Sequence, residues 1–201
     1  MFTGLVEELG TVLAIDSQPI GARVRVAAGP LVSKLAIGDS LAINGCCLTV
    51  IENEDDAVVF DAGEETLRRT NLGELAIGSN VNLETSVAAG QPMGGHFVTG
   101  HIDGTGVVDQ RTDDGDWTEM WFKVPGPLTR QMASKGSVAV DGVSLTLVDV
   151  EDDRFSVALI PHTLKVTTLG ERAVGHTVNI ETDVLAKYVE RQLSGDNDTN
   201  L

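Results

Sequence analysis

The sequence predicts an all-β fold of two tandem, similar antiparallel β-barrels followed by a C-terminal α-helix. Three observations support this fold class. Short β-branched runs recur throughout the chain, a long internal repeat divides it in two, and one amphipathic segment near the end has no counterpart in the first half. The 201 residues are enough for two small domains, each with a modest core.

The internal repeat consists of four blocks that return in the same order 96 or 97 residues later. The matched pairs are residues 2–7 with 98–103, 40–49 with 137–146, 66–73 with 163–170, and 81–85 with 178–182. Because this period is too long for a solenoid unit, each copy is expected to be a whole small domain. The seam lies in residues 88–95, where small residues and Pro92 are typical of a linker. We therefore predict an N-terminal domain over residues 1–91 and a C-terminal domain over residues 92–183, followed by a helix and tail over residues 184–201.

Each copy has the pattern of short strands. In the first copy these are residues 24–26, 40–44, 48–51 and 58–60. Five or six such strands in under a hundred residues favour a closed or nearly closed antiparallel barrel. The pairs Asn44-Gly45 and Asp141-Gly142 predict hairpin turns, since both residue types tolerate positive φ. Residues 66–73 and their copy predict a short helical turn ended by glycine.

The segment over residues 184–193 predicts an amphipathic helix ended by Gly195. It places Leu185, Val189 and Leu193 at spacings of four, with Tyr188 beside them. The apolar face either packs on its own barrel or associates subunits, and the pattern leaves both open. Residues 196–200 are polar and predicted to be disordered.

Composition and charge exclude several classes of protein. The net charge of −16 disfavours binding to nucleic acid or to anionic membranes, and no segment is apolar for long enough to span a bilayer. The N-terminus lacks the pattern of a signal peptide. Adjacent Cys46 and Cys47 should point to opposite faces of a strand, so no disulfide is expected between them. A reduced, cytoplasmic protein is the prediction.

Several motifs, present in order in both copies, identify a family resemblance. They are residues 1–4, 44–50, 65–67 and 70–73 in the first half, and residues 94–96, 99–102, 141–146, 160–161 and 163–164 in the second. Together they resemble riboflavin synthase of the trimeric, two-barrel kind, from Met1 to about Leu193. The resemblance implies a six-stranded Greek-key barrel in each half, each binding one lumazine.

The resemblance also implies a reaction. Two molecules of 6,7-dimethyl-8-ribityllumazine exchange a four-carbon unit; one becomes riboflavin and the other leaves as 5-amino-6-(D-ribitylamino)uracil. No metal or cofactor is expected, in keeping with a sequence that has neither metal-ligand spacing nor a nucleotide-binding glycine motif. A homotrimer is expected, with each working site between the first barrel of one subunit and the second barrel of its neighbour, and with the C-terminal helix joining three chains.

Four residues are candidates for catalysis. His101 is a candidate proton acceptor and Ser144 a hydrogen-bonding or relay group. Cys47 is a candidate nucleophile, and Asp183 could orient His101 or Ser144. The two copies differ at these polar positions, with Cys47 matching Ser144, Leu5 matching His101, Asn44 matching Asp141 and Ser86 matching Asp183. A donor site and an acceptor site should differ in this way.

The resemblance also implies two sets of substrate-binding residues. The first pocket is expected to use Gly4, Leu5, Val6, Cys47, Leu48, Thr49, Asp61, Ala62, Gly63, Glu64, Glu65 and Thr66. The second is expected to use Gly100, His101, Ile102, Lys135, Ser144, Leu145, Thr146, Ile160, Pro161, His162, Thr163, Leu164 and Lys165. His162 and Glu64 depart from the residues common in the family. His96 is interpreted as a linker residue.

Three other classes compete with the enzyme. A non-catalytic lumazine-binding accessory protein would share the duplicated barrel but should lack polar groups in its second pocket. Here Ser144, Thr146, His101 and Asp183 are all present, which favours the enzyme. A flavin-binding reductase domain should carry an Arg-x-Tyr-Ser motif, which this sequence lacks. A purely structural duplicated barrel would not explain the polar differences between the copies.

Overall fold

A computed structural model describes residues 1–195 of the chain. The first half contributes β1 (Glu8–Gln18), β2 (Gly21–Ala27), β3 (Ser40–Ile43), β4 (Cys46–Thr49), β5 (Glu52–Glu54), β6 (Ala57–Ala62) and β7 (Asn80–Thr85). The second contributes β8 (Gly104–Asp114), β9 (Trp117–Lys123), β10 (Ser137–Val140), β11 (Val143–Val150), β12 (Arg154–Leu159) and β13 (Thr177–Thr182). The α-helices are α1 (Glu64–Arg69), α2 (Gly126–Thr129), α3 (Pro161–Val166) and α4 (Val184–Gly195).

The two halves form similar antiparallel sheets, which confirms the predicted fold class. The second half is a closed barrel in the order β10-β11-β12-β9-β8-β13. The first half is a seven-stranded sheet in the order β4-β3-β7-β1-β2-β6-β5. Its two end strands, β4 and β5, are separated only by Val50 and Ile51, so the sheet curls until its ends meet. Together they correspond to the single strand β11.

Each sheet encloses its own core. Phe60, Leu41 and Leu83 are buried in the first, and Phe122 and Phe155 in the second. The two phenylalanine rings pack with their centroids 5.4 Å apart. Burial alternates along strands such as β2, as expected for a strand with one face on the core. The predicted strands over residues 24–26 and 58–60 are confirmed, as is 40–44 apart from Asn44, whereas residues 48–51 are not one strand, because β4 ends at Thr49 and β5 begins at Glu52. The strands place two separate cores in the chain.

The two predicted hairpin turns are confirmed and lie against each other. Asn44 and Gly45 have φ values of 45° and 78°, and Asp141 and Gly142 have φ values of 46° and 78°. Both residues of each turn thus adopt the left-handed region that a two-residue hairpin needs. A Cβ atom on Gly45 would lie 2.7 Å from the backbone nitrogen of Gly142, so the halves touch backbone to backbone here.

A buried polar network joins the halves with approximate twofold symmetry. The side-chain amide of Asn179 donates to the Asn44 carbonyl at 2.9 Å, and that of Asn82 donates to the Asp141 carbonyl at 2.8 Å. Asp141 also accepts from the Arg172 guanidinium at 2.7 Å. Because Asn44, Asn82, Asp141 and Asn179 are buried and Arg172 is half-buried, the network fixes how the halves sit against each other.

The predicted glycine-ended helical turn is wrong in one respect. Helix α1 ends at Arg69, and Gly73 lies in the 3-10 turn that follows rather than at a helix end. A Cβ atom on Gly73 would lie 2.3 Å from the carbonyl oxygen of Leu67. In the second copy a Cβ atom on Gly170 would lie 2.0 Å from the carbonyl of Leu164. Close packing, not a left-handed backbone, therefore requires glycine at this position.

The C-terminal helix is confirmed as α4, and its predicted apolar face is exposed in the single chain. Leu185, Tyr188, Val189 and Leu193 are 58–72 % exposed. None of the helices among residues 1–195 has the length and apolar character needed to cross a membrane. Cys46 and Cys47 are both free. The predicted disorder of residues 196–200 lies outside the described residues.

Candidate ligand-binding pockets

Two straps, residues 1–6 and residues 97–102, cross each other between the halves. We call them the first strap and the second strap. They meet at an antiparallel bridge in which the Phe2 amide donates to the Val98 carbonyl at 2.7 Å and the Val98 amide donates back at 3.2 Å. Phe2 is fully buried and Val98 nearly so, in a small cluster shared by both halves. Beyond the bridge, each strap continues onto the sheet of the other half.

Near its C-terminal end, each strap forms a backbone hydrogen bond with the strand that follows the hairpin turn of the other half. The Ser144 amide donates to the Gly4 carbonyl at 2.8 Å, and the Cys47 amide donates to the Gly100 carbonyl at 2.9 Å. The approach is close, since a Cβ atom on Gly4 or Gly100 would lie 2.6 Å from the Cβ of Ser144 or Cys47. Only glycine permits this contact.

The crossing corrects the expected division of residues between the pockets. Gly4, Leu5 and Val6 were expected beside Cys47, and Gly100, His101 and Ile102 beside Ser144. The structure exchanges the two groups: Val6 packs against the second core and Ile102 against the first. The sequence repeat aligns each strap with its own half and therefore cannot show that the straps change sides.

The first pocket is a cleft of about 310 Å³ that contains both Cys47 and His101. Its lining residues are Cys46, Cys47, Glu65, Thr66, Arg69, Thr70, Gly100, His101 and Ile102. Cys47 is half-buried and His101 is exposed, whereas burial raises the pKa of the Cys46 thiol to about 12. Cys46 therefore stays protonated near neutral pH, and Cys47 is the thiol that faces the cleft.

Paired charges line one side of this cleft. Glu65 binds Arg69 at 2.7 Å and also contacts Arg68. The hydrogen bond from Arg69 is the main cause that lowers the pKa of the Glu65 carboxyl. The cleft that contains the thiol is thus lined by an ion pair and by Thr66, all three residues belonging to α1.

The region around Ser144, which the repeat relates to the cleft at Cys47 and which we call the second pocket, contains a histidine that the sequence did not assign to a site. His96 Nδ1 and Ser144 Oγ share a hydrogen bond of 2.7 Å, whose direction depends on the histidine tautomer. His96 lies in the connection between β7 and β8, in keeping with its interpretation as a linker residue, but it is only 9 % exposed. Among residues 1–195, its Nε2 is the one buried side-chain nitrogen or oxygen without a hydrogen-bond partner.

Burial makes His96 a neutral imidazole. Desolvation lowers the pKa of His96, and the negative charge of Asp183 opposes this only in part. Asp183 also accepts a hydrogen bond of 2.9 Å from the Leu185 amide at the start of α4. The expected orienting role of Asp183 toward His101 or Ser144 stays a prediction.

The strand faces follow the expected alternation in both pockets. Thr49 lies on the same face of β4 as Cys47 and is exposed, while Leu48 is buried in the first core. Thr146 is likewise exposed on the face of Ser144, while the side chain of Leu145 packs against the second core. Thr49 and Thr146 are thus exposed on the same strand faces as Cys47 and Ser144, and their contact with a ligand stays a prediction.

Several expected binding residues lie away from the cleft that holds Cys47. Asp61 forms an ion pair of 2.9 Å with Arg23 on the sheet surface. Glu64 lines a separate groove of about 380 Å³ beside Leu67. Lys135 occupies an exposed turn with φ of 68°. Their proximity to a ligand stays a prediction.

The remaining expected residues frame α1 and α3, which occupy matching positions. Ala62 is buried at the end of β6, and Gly63 is the residue before α1. In the second half Ile160 precedes α3, and Leu164 packs against the second core. The exposed members of this segment are Ile160, Pro161, His162 and Lys165, with Thr163 half-buried. Within the described chain, no group of three or more His, Cys, Asp or Glu residues is arranged to hold a metal ion.

Comparison with known proteins agrees with this duplicated architecture. The lumazine binding domain matches the chain twice, at residues 3–86 and 99–183. Riboflavin synthase of Mycobacterium tuberculosis is 46 % identical over 196 residues, covering 95 % of this chain and 97 % of the relative. Riboflavin synthase of Actinobacillus pleuropneumoniae is 44 % identical over 193 residues, covering 96 % and 90 %.

Solved structures of LumP share the fold over nearly their whole length. The LumP complex with riboflavin superposes with a TM-score of 0.84 at 30 % identity, covering 90 % of this chain and 99 % of LumP. The LumP complex with 6,7-dimethyl-8-(1'-D-ribityl) lumazine gives a TM-score of 0.82 at 28 % identity, with the same coverage. The domain matches in both halves and the relatives at 44–46 % identity over nearly their whole length show that this chain belongs to the riboflavin synthase family.

Proposed function

We propose that this chain is a riboflavin synthase, which binds two molecules of 6,7-dimethyl-8-ribityllumazine and transfers a four-carbon unit between them. The products are riboflavin and 5-amino-6-(D-ribitylamino)uracil. The observation that carries the proposal is a pair of related pockets with different polar groups. The cleft of the first contains Cys47 and His101, and the region that the repeat relates to it contains Ser144 hydrogen-bonded to His96.

A reaction between two identical molecules is first a problem of orientation. Holding two reactants in a productive geometry contributes roughly 7–11 kcal/mol toward the barrier. Two halves of one fold offer similar pockets to similar rings. Because the polar groups differ, the pockets distinguish a donor molecule from an acceptor, which a symmetrical pair could not do.

In the first pocket, Cys47 and His101 divide the chemistry. The Cys47 sulfur acts as a nucleophile toward the lumazine ring, or stabilises a water added to it. The exposed imidazole of His101 lies one residue beyond the strap contact with Cys47 and accepts a proton from the C7 methyl group of the other lumazine, the one that Cys47 does not attack. The neighbouring thiol of Cys46 has no such role, because its pKa of about 12 keeps it protonated.

In the second pocket, Ser144 and His96 act as a hydrogen-bonded pair. The lowered pKa of His96 keeps the imidazole neutral, so it can take up a proton through Ser144. Asp183 stabilises the imidazolium that results, since its negative charge favours the protonated form. This pair replaces the pairing of His101 with Ser144 that the sequence suggested.

We further propose that the chain works as a homotrimer, with the first pocket of one subunit facing the second pocket of the next. The support is α4, whose large apolar side chains are exposed in the single chain. An ion pair of 2.7 Å between Lys187 and Asp103 attaches the first turn of this helix to the second half. Deletion of residues 184–201 should give monomers with greatly reduced activity in light scattering and turnover assays. A deletion variant that stays trimeric would contradict this assignment.

The domain boundaries and the cellular location are also proposals. The division into residues 1–91, 92–183 and 184–201 is supported by β1–β7 and β8–β13, which form separate sheets on either side of the first boundary, and by α4, which begins after the second. The cytoplasmic location is supported by Cys46 and Cys47, which remain free thiols.

The decisive experiment supplies 6,7-dimethyl-8-ribityllumazine alone and follows riboflavin absorbance. We expect steady release of riboflavin without any added metal or cofactor. LumP, which resembles this chain in structure, is known from complexes with lumazine, riboflavin and flavin mononucleotide. Tight lumazine binding without riboflavin release would therefore favour the non-catalytic binding protein.

A further inference from the structure

Two buried glutamates occupy matching positions on the last strand of each half. Glu84 lies on β7 and is 5 % exposed, and Glu181 lies on β13 and is 1 % exposed. Neither residue lines the cleft around Cys47, and the sequence assigned neither to a pocket. Carboxylates are seldom buried to this degree unless they are fully hydrogen-bonded.

Both carboxylates make the same three hydrogen bonds to a strap. Glu84 accepts from the Thr3 amide at 2.6 Å, the Thr3 hydroxyl at 2.7 Å and the Gly4 amide at 3.0 Å. Glu181 accepts from the Thr99 amide at 2.6 Å, the Thr99 hydroxyl at 2.7 Å and the Gly100 amide at 2.9 Å. In each case one oxygen takes the threonine donors and the other takes the glycine donor.

The glycine that each glutamate holds is the residue that meets the opposite half. Gly4 accepts from the Ser144 amide, and Gly100 accepts from the Cys47 amide. The amide of Gly4 or Gly100 is thus bound within its own half while its carbonyl is bound across the interface. A glutamate in one half therefore sets the position of a pocket wall in the other half.

We propose that Glu84 and Glu181 are positioning residues, each of which fixes the strap that forms the wall of the pocket in the opposite half. Glu84 holds the first strap against Ser144. Glu181 holds the second strap against Cys47 and so places His101 at the first pocket. The importance of Glu84 and Glu181 for catalysis rests on the proposed riboflavin synthase function. Their role in holding the straps in place does not depend on that function.

The chemistry of the contact requires a carboxylate. Three donors converge on each side chain, and an ionised carboxylate only accepts hydrogen bonds, through two oxygens. A glutamine has the same shape but presents an NH₂ group to one set of donors. In the glutamine variant, the NH₂ group therefore faces a donor of the strap, and the hydrogen bond at that position is lost. Because the side-chain volume is unchanged, no cavity forms.

The rate at which the Cys47 thiol is alkylated measures how well the wall of the first pocket covers it, and this measurement does not depend on catalytic activity. It is half-buried beside Gly100, and Cys46 is the only other cysteine in the sequence. In a Cys46→Ser background, alkylation by iodoacetamide under native conditions follows Cys47 alone. We expect Glu181→Gln to raise this rate about tenfold, because the second strap lifts from Cys47. We expect Glu84→Gln to leave the rate within about twofold of the background.

The two glutamine variants are controls for each other. They remove the same charge from equally buried sites with the same hydrogen bonds, so general loosening of the fold would raise both rates alike. Unfolding midpoints measured in parallel check that the two variants are destabilised to a similar extent. Equal rates in the two variants, or no change in either, would overturn the inference.

The reciprocal experiment moves the reporter to the second pocket. A Ser144→Cys substitution in a Cys46→Ser, Cys47→Ser background places the single thiol beside Gly4. The pattern should then reverse, with Glu84→Gln raising the alkylation rate and Glu181→Gln leaving it unchanged. If the chain released riboflavin but this reversal failed, the proposed function would stand and the positioning role would not. If the reversal occurred without riboflavin release, the opposite conclusion would hold.

Discussion

In the second half, β11 runs without a break from Val143 to Val150, whereas its counterpart in the first half is divided into β4 and β5. The break lies at Val50 and Ile51, where the backbone changes partners: the Val50 amide donates to Asp39 and the Ile51 amide donates to Val59, both at 2.9 Å. The same ring of strands therefore tolerates a local opening on one side. The duplicated scaffold does not need two identical barrels to present two pockets.

The pockets differ more than the scaffold. The first pairs a half-buried thiol with an exposed histidine, and the second pairs a hydroxyl with a buried histidine. By contrast, the lengths of the hydrogen bonds that Glu84 and Glu181 accept agree within 0.1 Å. The comparison teaches that the groups which place the straps are retained in both halves, while the groups that face a ligand have diverged.

The largest effect should follow from breaking an ion pair that lies at the interface between the halves and has no counterpart in the first half. Arg172 pairs with the fully buried Asp141, where the first half has Leu75 and Asn44. Arg172→Leu leaves a buried carboxylate unpaired and should lower the free energy of unfolding by about 3 kcal/mol in denaturant titrations.

The matched control makes the second half resemble the first. Asp141→Asn added to Arg172→Leu removes the stranded charge and should restore most of the lost stability. If the double variant is as unstable as Arg172→Leu alone, the buried charge is not the cause of the loss.

The next effect concerns the diverged pocket groups. Cys47→Ala and Ser144→Ala should each lower kcat by about a hundredfold, since a positioned nucleophile or proton-transfer group contributes at least that much. Single-turnover measurements of riboflavin formation test this. Cys46→Ala is the control, and its kcat should stay near that of the wild-type protein. A Ser144→Ala variant with full turnover would remove the second pocket from the chemistry.

A smaller effect is expected from the partner of Ser144. His96→Gln keeps a polar side chain at the site but cannot accept a proton, so kcat should fall about tenfold while KM changes little. Steady-state kinetics over a range of pH separates this role from a structural one. A variant whose pH profile matches that of the wild-type protein would show that His96 transfers no proton.

The smallest effect is a pH dependence of stability near pH 6.5 that comes from His96, since the first half, residues 1–91, has no histidine. Burial lowers the pKa of His96 below the ordinary value of 6.5, so the unfolded chain takes up a proton that the folded chain resists. Stability should therefore fall as pH drops below 6.5. His96→Gln should lose less stability than the wild-type protein between pH 8 and pH 5, and an equal loss would contradict the assignment.

The sequence predicted those features that depend on local pattern. Both hairpins, the alternation around Cys47 and Ser144, and α4 are set by residues close together in the chain, and the structure confirms them. The repeat also predicted two similar sheets, because a duplicated pattern of apolar residues builds the same core twice.

The exchange of the straps and the role of His96 could not be predicted in this way. Aligning the copies pairs Gly4 with Gly100 but carries no information on which sheet each strap contacts. The position that matches His96 would precede Met1, so the repeat offers no second copy for comparison. The sequence signal for the burial of His96 was the preceding pair Gly94-Gly95. A Cβ atom on Gly95 would lie 2.0 Å from the Thr3 carbonyl, so glycine is required there because the backbone packs closely against the first strap.

The crossed straps also bear on the order in which the protein can acquire its native contacts during synthesis. Gly4 is synthesised long before Ser144, the residue of the second half to which it is hydrogen-bonded. Ile102, whose side chain packs against the first core, is synthesised only after every strand of the first sheet. A nascent chain that stops at the seam therefore has an uncovered core and a loose amino-terminal segment. Such long sequence separations slow folding, so maturation of both pockets should be a late, concerted event that waits for the second half to leave the ribosome.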